Sequence, residues 1–268
     1  MNPALGVIGC GNMGYALIKG IVNGHEPKYS NIYISDINTV RTDLFSHEFA
    51  ALSGSNQETV ASADIIFLAV KPGQIKKVLT DTRNQWKPNK LLISIAAGIS
   101  TDIIENAIGI QIPVVRVMPN TPCLVAEGVS AICAGKYASA ENLQLVEALL
   151  NNLGLAVIIE EKYMDAVTAV SGSGPGYAYL VAEAMMDAAV NMGLNGEMAR
   201  KLVVNTIRGS MTMLQKTNEH PAVLKAQVSS PGGTTIAGLR QLEQNGIRKA
   251  FFDAVESAFE RSVEQSKQ

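Results

Sequence analysis

The sequence has no excess of one charge and no long apolar run, and each absence argues against a class of partner. Among its 268 residues, 22 Lys and Arg stand against 24 Asp and Glu, for a net charge of −2. No basic tail or patch stands out, so nucleic-acid binding has little support. No apolar run approaches the roughly 18–20 residues that a membrane-spanning helix needs. We therefore expect neither nucleic acid nor a membrane as a partner.

Cysteine and histidine are also scarce. The three cysteines, Cys10, Cys123 and Cys133, form no CxxC pair and no even set for a disulfide framework. The first residues contain no basic segment and lead at once into a glycine-rich motif, so we expect a protein of the reducing cytoplasm. The histidines are scattered, at positions 25, 47 and 220, and no metal site is predicted.

The composition and the apolar patterns indicate a folded chain in two parts. Hydrophobic residues make up 47% and charged residues 17%, which excludes a disordered chain. Short apolar runs alternate with helical spacing up to residue 160, as expected for a doubly wound parallel α/β sheet. Beyond that point the pattern is helical to the end, so we predict domains at 1–160 and 161–268. The predicted strands are Leu5–Ile8, Ile32–Ser35, Ile65–Val70, Leu91–Ile95, Val114–Val117, Val129–Cys133 and Ala156–Ile159.

One predicted helix is informative about assembly. Between Tyr177 and Met192 its strongly polar residues are confined to one narrow stripe, at Glu183, Asp187 and Asn191. A helix that is apolar nearly all round should be buried, which favours a partner subunit. The alternative is a central helix that its own domain buries.

A glycine-rich motif connects the first predicted strand to the first predicted helix. In GxGxxG the first glycine permits a tight turn, the second admits a pyrophosphate, and the third lets helix and strand pack closely. The order strand, motif, helix, strand is that of a Rossmann-type dinucleotide domain. The residues that we assign to the cofactor here are Ile8, Gly9, Cys10, Gly11, Asn12 and Met13, with Gly14 completing the motif.

Asp36 ends the second predicted strand, 22 residues after Gly14. A carboxylate at this position can accept hydrogen bonds from the adenosine ribose and repels a 2′-phosphate, which favours NAD(H). Alternatively, Asp36 only caps the following turn. Arg41 could approach a phosphate from the next helix, so NADP(H) stays open.

The carboxyl ends of two further predicted strands are candidates for the same cofactor, because ligands of open sheets bind there. Small residues after the second of these strands would admit the nicotinamide ribose. Lys71 either contacts the cofactor or is solvated, and Asn120 either meets the nicotinamide amide or holds a turn between two prolines. The assigned residues are Ala69, Val70, Lys71 and Pro72 at one strand end and Ile95, Ala96 and Ala97 at the other.

A second glycine loop, Val228–Thr235, precedes a predicted helix. Backbone N–H groups, hydroxyls and the helix N-terminus suit a small carboxylate or phosphate. The alternative is an ordinary helix start that a Ser or Thr caps.

This loop, with 219–221 and 224–225 before it, resembles the signature of the pyrroline-5-carboxylate reductase family. The resemblance continues through 69–72, 94–98, 118–122 and 171–175 and covers nearly the whole chain. Gly176 stands where the family usually has Ala. The resemblance implies reduction of 1-pyrroline-5-carboxylate to L-proline, the last step of proline biosynthesis, by NADPH or NADH. It also implies a homodimer through the helical domain, which often builds larger rings.

By position, the resemblance assigns residue roles as well. Thr235 would hydrogen-bond the substrate ring nitrogen and is the catalytic candidate, whereas Asn56 would contact the adenosine. The residues that it assigns to substrate binding are Glu161, Ser230, Gly233 and Thr234. For Glu161 the alternative is a first-turn glutamate that the helix dipole favours.

Other functions remain to be distinguished. A related β-hydroxyacid dehydrogenase or an imine reductase would share the layout, but the former uses a catalytic Lys that the 171–179 segment lacks. A non-catalytic dinucleotide-binding regulator is a third reading, although two separate anion-binding loops fit an enzyme better.

Overall fold

A computed structural model describes residues 2–24 and 29–266, so position 25 lies outside the described residues. The chain divides into two compact units. The sheet unit contains the residues up to Ser173 and those from Ala258 onward, and the helical unit is Gly174–Ser257.

In the sheet unit, the described strands form one eight-stranded sheet of order β3-β2-β1-β4-β5-β6-β7-β8. Every neighbouring pair is parallel except β6 and β7. The predicted α/β class and doubly wound topology are confirmed. The strands are β1 (Leu5–Ile8), β2 (Ile32–Ser35), β3 (Leu52–Ser53), β4 (Ile65–Leu68), β5 (Leu91–Ser94), β6 (Val114–Met118), β7 (Gly128–Ala134) and β8 (Gly154–Ile158).

The reversal at β7 departs from the all-parallel expectation. A parallel neighbour needs a crossover of about a dozen residues or more, usually through a helix. Between Met118 and Gly128 the chain forms only a short 3₁₀ turn, Thr121–Val125. It therefore returns beside β6 in the opposite direction.

Helices cover both faces of the sheet. Side chains alternate along the strands, so Val7 and Phe67 pack into one apolar cluster and Ile8 and Ile66 into the other. Burial on both faces explains the continuous apolar runs of the sequence. The helices of this unit are α1 (Asn12–Asn23), α2 (Thr39–Phe49), α3 (Asn56–Ser62), α4 (Pro72–Asp81), α5 (Thr101–Ile108), α6 (Ala140–Leu150) and α7 (Met164–Val167). Short 3₁₀ and π segments lie at Arg83–Gln85, Asn151–Leu153, Glu161–Tyr163 and Thr168–Gly172.

The helical unit carries a largely exposed apolar surface. On α8 the single buried residue is Ala189, whereas Tyr179 and Leu180 are 64% and 65% exposed. The chain by itself therefore does not bury this helix, contrary to the reading of a central helix packed by its own domain. Among the described residues, no helix has the length and apolar character to cross a membrane. The remaining helices are α8 (Gly174–Asn191), α9 (Gly196–Thr217), α10 (Pro221–Gln227), α11 (Thr234–Gln244) and α12 (Ile247–Ser266).

The compact units and the predicted domains follow different boundaries. Residue 160 marks the change from strands to helices, but the sheet unit extends to Ser173. The segment after residue 160 stays with the sheet because Glu161 pairs with Arg116 of β6. The end of α12 belongs to the same unit, where the Ser262 hydroxyl donates to the Asp165 carboxylate over 2.7 Å.

Candidate cofactor and substrate sites

The glycine motif forms the turn between β1 and α1. Gly9 has a φ of +104°, which an L side chain rarely adopts, and a Cβ there would lie 2.7 Å from the backbone of Ala69. The Ala69 N–H donates to the carbonyl of Ile8 over 2.8 Å. Only glycine therefore permits β1 and β4 to end this close together.

The start of α1 fits a dinucleotide pyrophosphate. Gly11 is the N-cap residue, and no side chain caps the helix. A Cβ on Gly11 would meet nothing within 4 Å, so the space beside the backbone is open. Uncapped N–H groups and the positive end of the helix dipole suit phosphate oxygens. Asn12 and Met13 form the first turn of α1, so their backbone belongs to this uncapped helix start.

A cleft of about 190 Å³ lies at the carboxyl ends of β1, β2 and β4. This is the switch point of the sheet, where helices leave to opposite faces and where open α/β sheets bind ligands. Asp36 and Asn56, assigned from the sequence, both line the cleft. The sequence motifs do not mark the other residues of its lining: Ser35, Ile37, Gln74, Lys77, Val78 and Asp81.

The four cleft-lining residues on α4 follow a pattern that the sequence itself contains. Gln74, Lys77, Val78 and Asp81 follow the i, i+3, i+4, i+7 spacing of one helix face. Pro72 at the first position of α4 marks where that helix starts. The face could be predicted to line the cleft only once β4 is known to neighbour β1.

Asp36 is fixed by the glycine loop itself. Its Oδ2 accepts from the Cys10 N–H over 2.6 Å, and its Oδ1 accepts from the Asn38 N–H over 2.8 Å. Arg41, on α2, donates from Nε to the Cys10 carbonyl over 2.6 Å. Burial first, and then the Asp36 charge, raises the pKa of the Cys10 thiol to about 12, so this thiol is unreactive at neutral pH.

The other predicted cofactor residues lie at strand ends. Ala69 and Val70 follow β4, Lys71 is the exposed N-cap residue of α4, and Pro72 begins that helix. Ile95, Ala96 and Ala97 follow β5 and end at Gly98, whose φ is +72°. All of these strands are parallel and neighbouring, so the residues share the edge that carries the cleft.

Asn120 holds the backbone in place. Its Oδ1 accepts from the Val129 N–H over 2.9 Å, and its Nδ2 donates to the Ser171 carbonyl over 3.1 Å. The residue is 8% exposed. Of the two roles considered for Asn120, the geometry favours the structural one.

The second glycine loop leads into α11 within the helical unit. Gly233 is the N-cap residue and no side chain caps the helix, so the N–H groups of the first turn are available to a ligand. Gly232 has a φ of +69° and the Gly233 N–H donates to the Ser230 carbonyl over 3.0 Å, which closes a turn. Within the described part of the chain, the hydroxyls of Ser230, Thr234 and Thr235 make no hydrogen bond, and all three residues are exposed.

Glu161 is held by three hydrogen bonds at the start of α5. The Thr101 N–H donates to Oε1 over 2.9 Å and the Thr101 hydroxyl to Oε2 over 2.6 Å. Arg116 donates to Oε1 over 3.1 Å, and its side chain is only 5% exposed, against 28% for Glu161. The carboxylate therefore lies at the N-terminus of α5, where the positive end of that helix dipole stabilises its charge, and not over the first turn of its own segment. Arg116, a lone arginine in the apolar strand β6, was not assigned from the sequence, although its position in that strand is a feature that could have indicated a buried partner.

No group of three or more His, Cys, Asp or Glu residues within the described ranges is arranged to hold a metal ion. Both sites present backbone N–H groups, hydroxyls and a few fixed charges.

Two family models match the chain. Residues 161–265 match a model described as pyrroline-5-carboxylate reductase dimerisation, which starts where the sequence predicts the helical domain to start. Residues 4–98 match a model described as NADP oxidoreductase, coenzyme F420-dependent. The helical part of the chain thus contains the dimerisation domain of that reductase family.

Named relatives are similar over their whole length. The chain is 40% identical to the pyrroline-5-carboxylate reductase of Corynebacterium melassecola, with 98% of each chain covered. It is 41% identical to that of Methanosarcina acetivorans, with 99% of each covered. The solved structure of Plasmodium falciparum pyrroline carboxylate reductase with NADP bound has a TM-score of 0.89 at 37% identity, covering 99% of this chain and 98% of the other. The chain belongs to the pyrroline-5-carboxylate reductase family.

Proposed function

We propose that the chain reduces 1-pyrroline-5-carboxylate to L-proline with NADH or NADPH, as the last step of proline biosynthesis. The observation that carries the proposal is the uncapped start of α11. There the free N–H groups of a helix N-terminus lie beside hydroxyls that have no hydrogen-bond partner among the described residues. This arrangement suits the carboxylate of a small substrate. The glycine-rich, uncapped start of α1 suits the pyrophosphate of the cofactor.

The substrate loop has two tasks in this proposal. The Thr234 N–H, at the free start of α11, binds the substrate carboxylate, and Ser230 adds its hydroxyl. Gly233 contributes by closing the turn that presents them, since its own N–H donates to the Ser230 carbonyl. The Thr235 hydroxyl hydrogen-bonds the ring nitrogen and orients the C=N bond. A hydroxyl is a poor acid at neutral pH, so the proton that the nitrogen gains comes from water, with Thr235 as the positioning partner.

The cofactor supplies a hydride to the imine carbon when it is bound. The protein contributes orientation, because the acceptor carbon must lie about 3–3.5 Å from the donor. Gly9, Gly11 and the start of α1 fix the pyrophosphate, while Asp36 and Asn56 line the adenosine end. The small residues Ala96 and Ala97 leave room beside the nicotinamide ribose.

Glu161 fits a supporting role better than direct binding. Its carboxylate already accepts three hydrogen bonds, from Thr101 and Arg116. A substrate would have to share it with a buried arginine. We therefore assign Glu161 to positioning of the chain where it leaves the sheet, and substrate contact through it becomes the alternative.

We also propose a homodimer formed by the helical domain, residues 161–268. The exposed apolar side chains of α8 support it, since large exposed apolar patches mark association surfaces. Light scattering should give a dimer or a multiple of dimers, such as a ring. A monomer at micromolar concentration would contradict the proposal.

We further propose that the protein works in the cytoplasm. Its three cysteines are free and buried, which fits that reducing compartment.

The activity is tested by following cofactor absorbance with purified protein. Saturable oxidation of NADH or NADPH that depends on pyrroline-5-carboxylate is expected. A β-hydroxyacid with oxidised cofactor should give no reduction, because the chain lacks the Lys of those dehydrogenases. Oxidation of neither cofactor by pyrroline-5-carboxylate would refute the proposed function.

A further inference from the structure

The buried Asn120 side chain holds the segment through which the chain leaves the sheet unit, residues 168–175, which we call the connecting segment. Asn120 lies two residues beyond the end of β6. Its Nδ2 donates to the Ser171 carbonyl over 3.1 Å, and its Oδ1 accepts from the Val129 N–H over 2.9 Å. Ser171 lies three residues before Gly174, with which the helical unit begins. One side chain thus ties the end of β6 to the last turn of the sheet unit.

The Ser171 carbonyl lacks its usual helical donor. In an α-helix a carbonyl accepts from the N–H four residues later, and for Ser171 that residue is Pro175, which has no N–H. The backbone is irregular at this point, because the Ser173 N–H donates to the Thr168 carbonyl, five residues back, over 2.8 Å. Turns of this π type inside helices frequently lie at functional sites. Asn120 supplies a donor that Pro175 cannot.

Apolar packing holds the same part of the chain without fixing its orientation. Met164 is fully buried beside Ala131 and Cys133, and Met118 packs on this cluster. A Cβ on Gly172 would lie 2.6 Å from Cε of Met118, so the connecting segment lies directly against the end of β6. Burial of apolar surface is non-directional, whereas a hydrogen bond constrains both a distance and an angle. The bond from Asn120 therefore constrains the direction in which the chain continues.

The chain returns to the sheet unit close to the residues from which it left. The sheet unit resumes at Ala258. The hydroxyls of Ser262 and Ser266 both donate to Oδ1 of Asp165, on α7, over 2.7 and 3.1 Å. The paths into and out of the helical unit are thus both fixed on one short stretch, residues 164–173.

We propose that Asn120 is a positioning residue for hydride transfer, which acts through the Ser171 carbonyl on the connecting segment and not on the cofactor. The inference rests on the proposed function, in which the sheet unit binds the cofactor and the helical unit binds the substrate. The reacting carbons must then approach to about 3–3.5 Å, and a misplacement of about 1 Å costs about a hundredfold in rate. Loss of the bond from Asn120 leaves both binding loops intact but loosens the segment that connects them.

The test separates binding from turnover. Titration with NADH and with NADPH, followed by cofactor fluorescence, gives each Kd and the number of binding sites, so that kcat can be expressed per titrated site. For Asn120→Ala we expect kcat per site to fall about ten- to a hundredfold, while both Kd values and the KM of pyrroline-5-carboxylate change less than about threefold. A merely structural role would lower the number of sites and leave kcat per site unchanged.

A second variant identifies which of the two hydrogen bonds matters. Asn120→Asp fills the same space and keeps an acceptor for the Val129 N–H, but an ionised carboxylate has no hydrogen to donate to the Ser171 carbonyl. Its kcat per site should therefore fall as well. If Asn120→Ala does not fold, Asn120→Asp carries the test. Thermal unfolding shows which variants are folded.

A matched control removes a similar bond elsewhere in the sheet unit. At the start of α6 the Asn142 Oδ1 accepts from the Ser139 N–H over 2.9 Å. Asn142→Ala should leave kcat per site unchanged. Hydrogen exchange adds a measurement without turnover: the amides of residues 168–176 should exchange faster in Asn120→Ala than in the unmodified chain, and at the unmodified rate in Asn142→Ala.

The inference is overturned if folded Asn120→Ala keeps its kcat per site, or if its amides at 168–176 exchange at the unmodified rate. Full activity of Asn120→Asp would also overturn it, because the bond to Val129 would then suffice. A cofactor Kd that rises as much as kcat falls would show that Asn120 acts on the nicotinamide instead. Each of these results leaves the proposed function standing, whereas an unmodified chain that does not reduce pyrroline-5-carboxylate would refute both.

Discussion

The pair of adjacent glutamates at 160 and 161 allows a sharp test of the link between burial and stability. Both form an ion pair, but with different exposure. Glu161 (28% exposed) pairs with Arg116 (5% exposed), whereas Glu160 (68% exposed) pairs with Lys162 (60% exposed). Changing each to Gln removes one charge and keeps the size of the side chain.

The expected cost differs by several-fold between the two sites. Removing one partner of a fully buried pair costs about 3–5 kcal/mol, because the other charge is left uncompensated. Since Glu161 is partly exposed and Gln retains an acceptor for the Thr101 N–H, we expect about 2–3 kcal/mol for Glu161→Gln. An exposed pair is worth about 0–1 kcal/mol, so Glu160→Gln should cost under about 0.5 kcal/mol.

The assay is urea unfolding of both variants and the unmodified protein, followed by circular dichroism. Thermal unfolding gives a second measure, since about 2–4 °C is lost per kcal/mol in a unit of this size. Glu161→Gln should therefore lower Tm by roughly 4–12 °C. Equal unfolding free energies for the two variants would refute the reasoning. A large rise in the substrate KM with unchanged stability would instead restore Glu161 to substrate binding.

Three further predictions concern single residues. Thr235→Ala should lower kcat/KM by about ten- to a hundredfold, a loss of roughly 1.4–2.7 kcal/mol in transition-state stabilisation, whereas Thr235→Ser should retain most of the kcat/KM of the unmodified protein. An unchanged kcat/KM for the alanine variant would remove Thr235 from the mechanism. All three cysteines should resist iodoacetamide in the native protein and react after unfolding. Each is buried, and burial raises the pKa of Cys10 and Cys133 to about 12. Labelling of Cys10 in the native protein would contradict the closed glycine loop. Burial raises the pKa of the Glu105 carboxyl above its usual 4.5. The stability that the protonated carboxyl contributes is therefore present below pH 4.5 and is lost as the pH rises through the pKa of the folded state. The Tm of Glu105→Gln, measured relative to that of the unmodified protein, should increase from pH 4 to pH 8.

Much of the fold could be predicted because the sheet is buried on both faces. Such strands appear as apolar runs, and Leu5–Ile8 and Ile32–Ser35 have the predicted bounds. Strand direction is not encoded in such a run. The reversal of β7 depends on the length of the connection from β6, where a 3₁₀ turn replaces a crossover helix.

The turn and the strand end that form the candidate cofactor site could be predicted from the sequence, whereas the contacts that fix them could not. The GxGxxG motif and Asp36 can be recognised locally, because the glycines form the turn after β1 and Asp36 directly follows β2. The hydrogen bond from the Cys10 N–H to Asp36 joins residues 26 apart, and that from Thr101 to Glu161 joins residues 60 apart. Partners at such separations follow from strand order, which the local pattern does not specify.

The central claim is that the chain transfers a hydride from a nicotinamide cofactor to the imine carbon of pyrroline-5-carboxylate. The most direct measurement uses NADH and NADPH dideuterated at nicotinamide C4, with mass spectrometry of the product. The account predicts L-proline with one deuterium on its δ-carbon, in a one-to-one ratio to the cofactor oxidised. Proline without deuterium, or no proline from either cofactor, would contradict it.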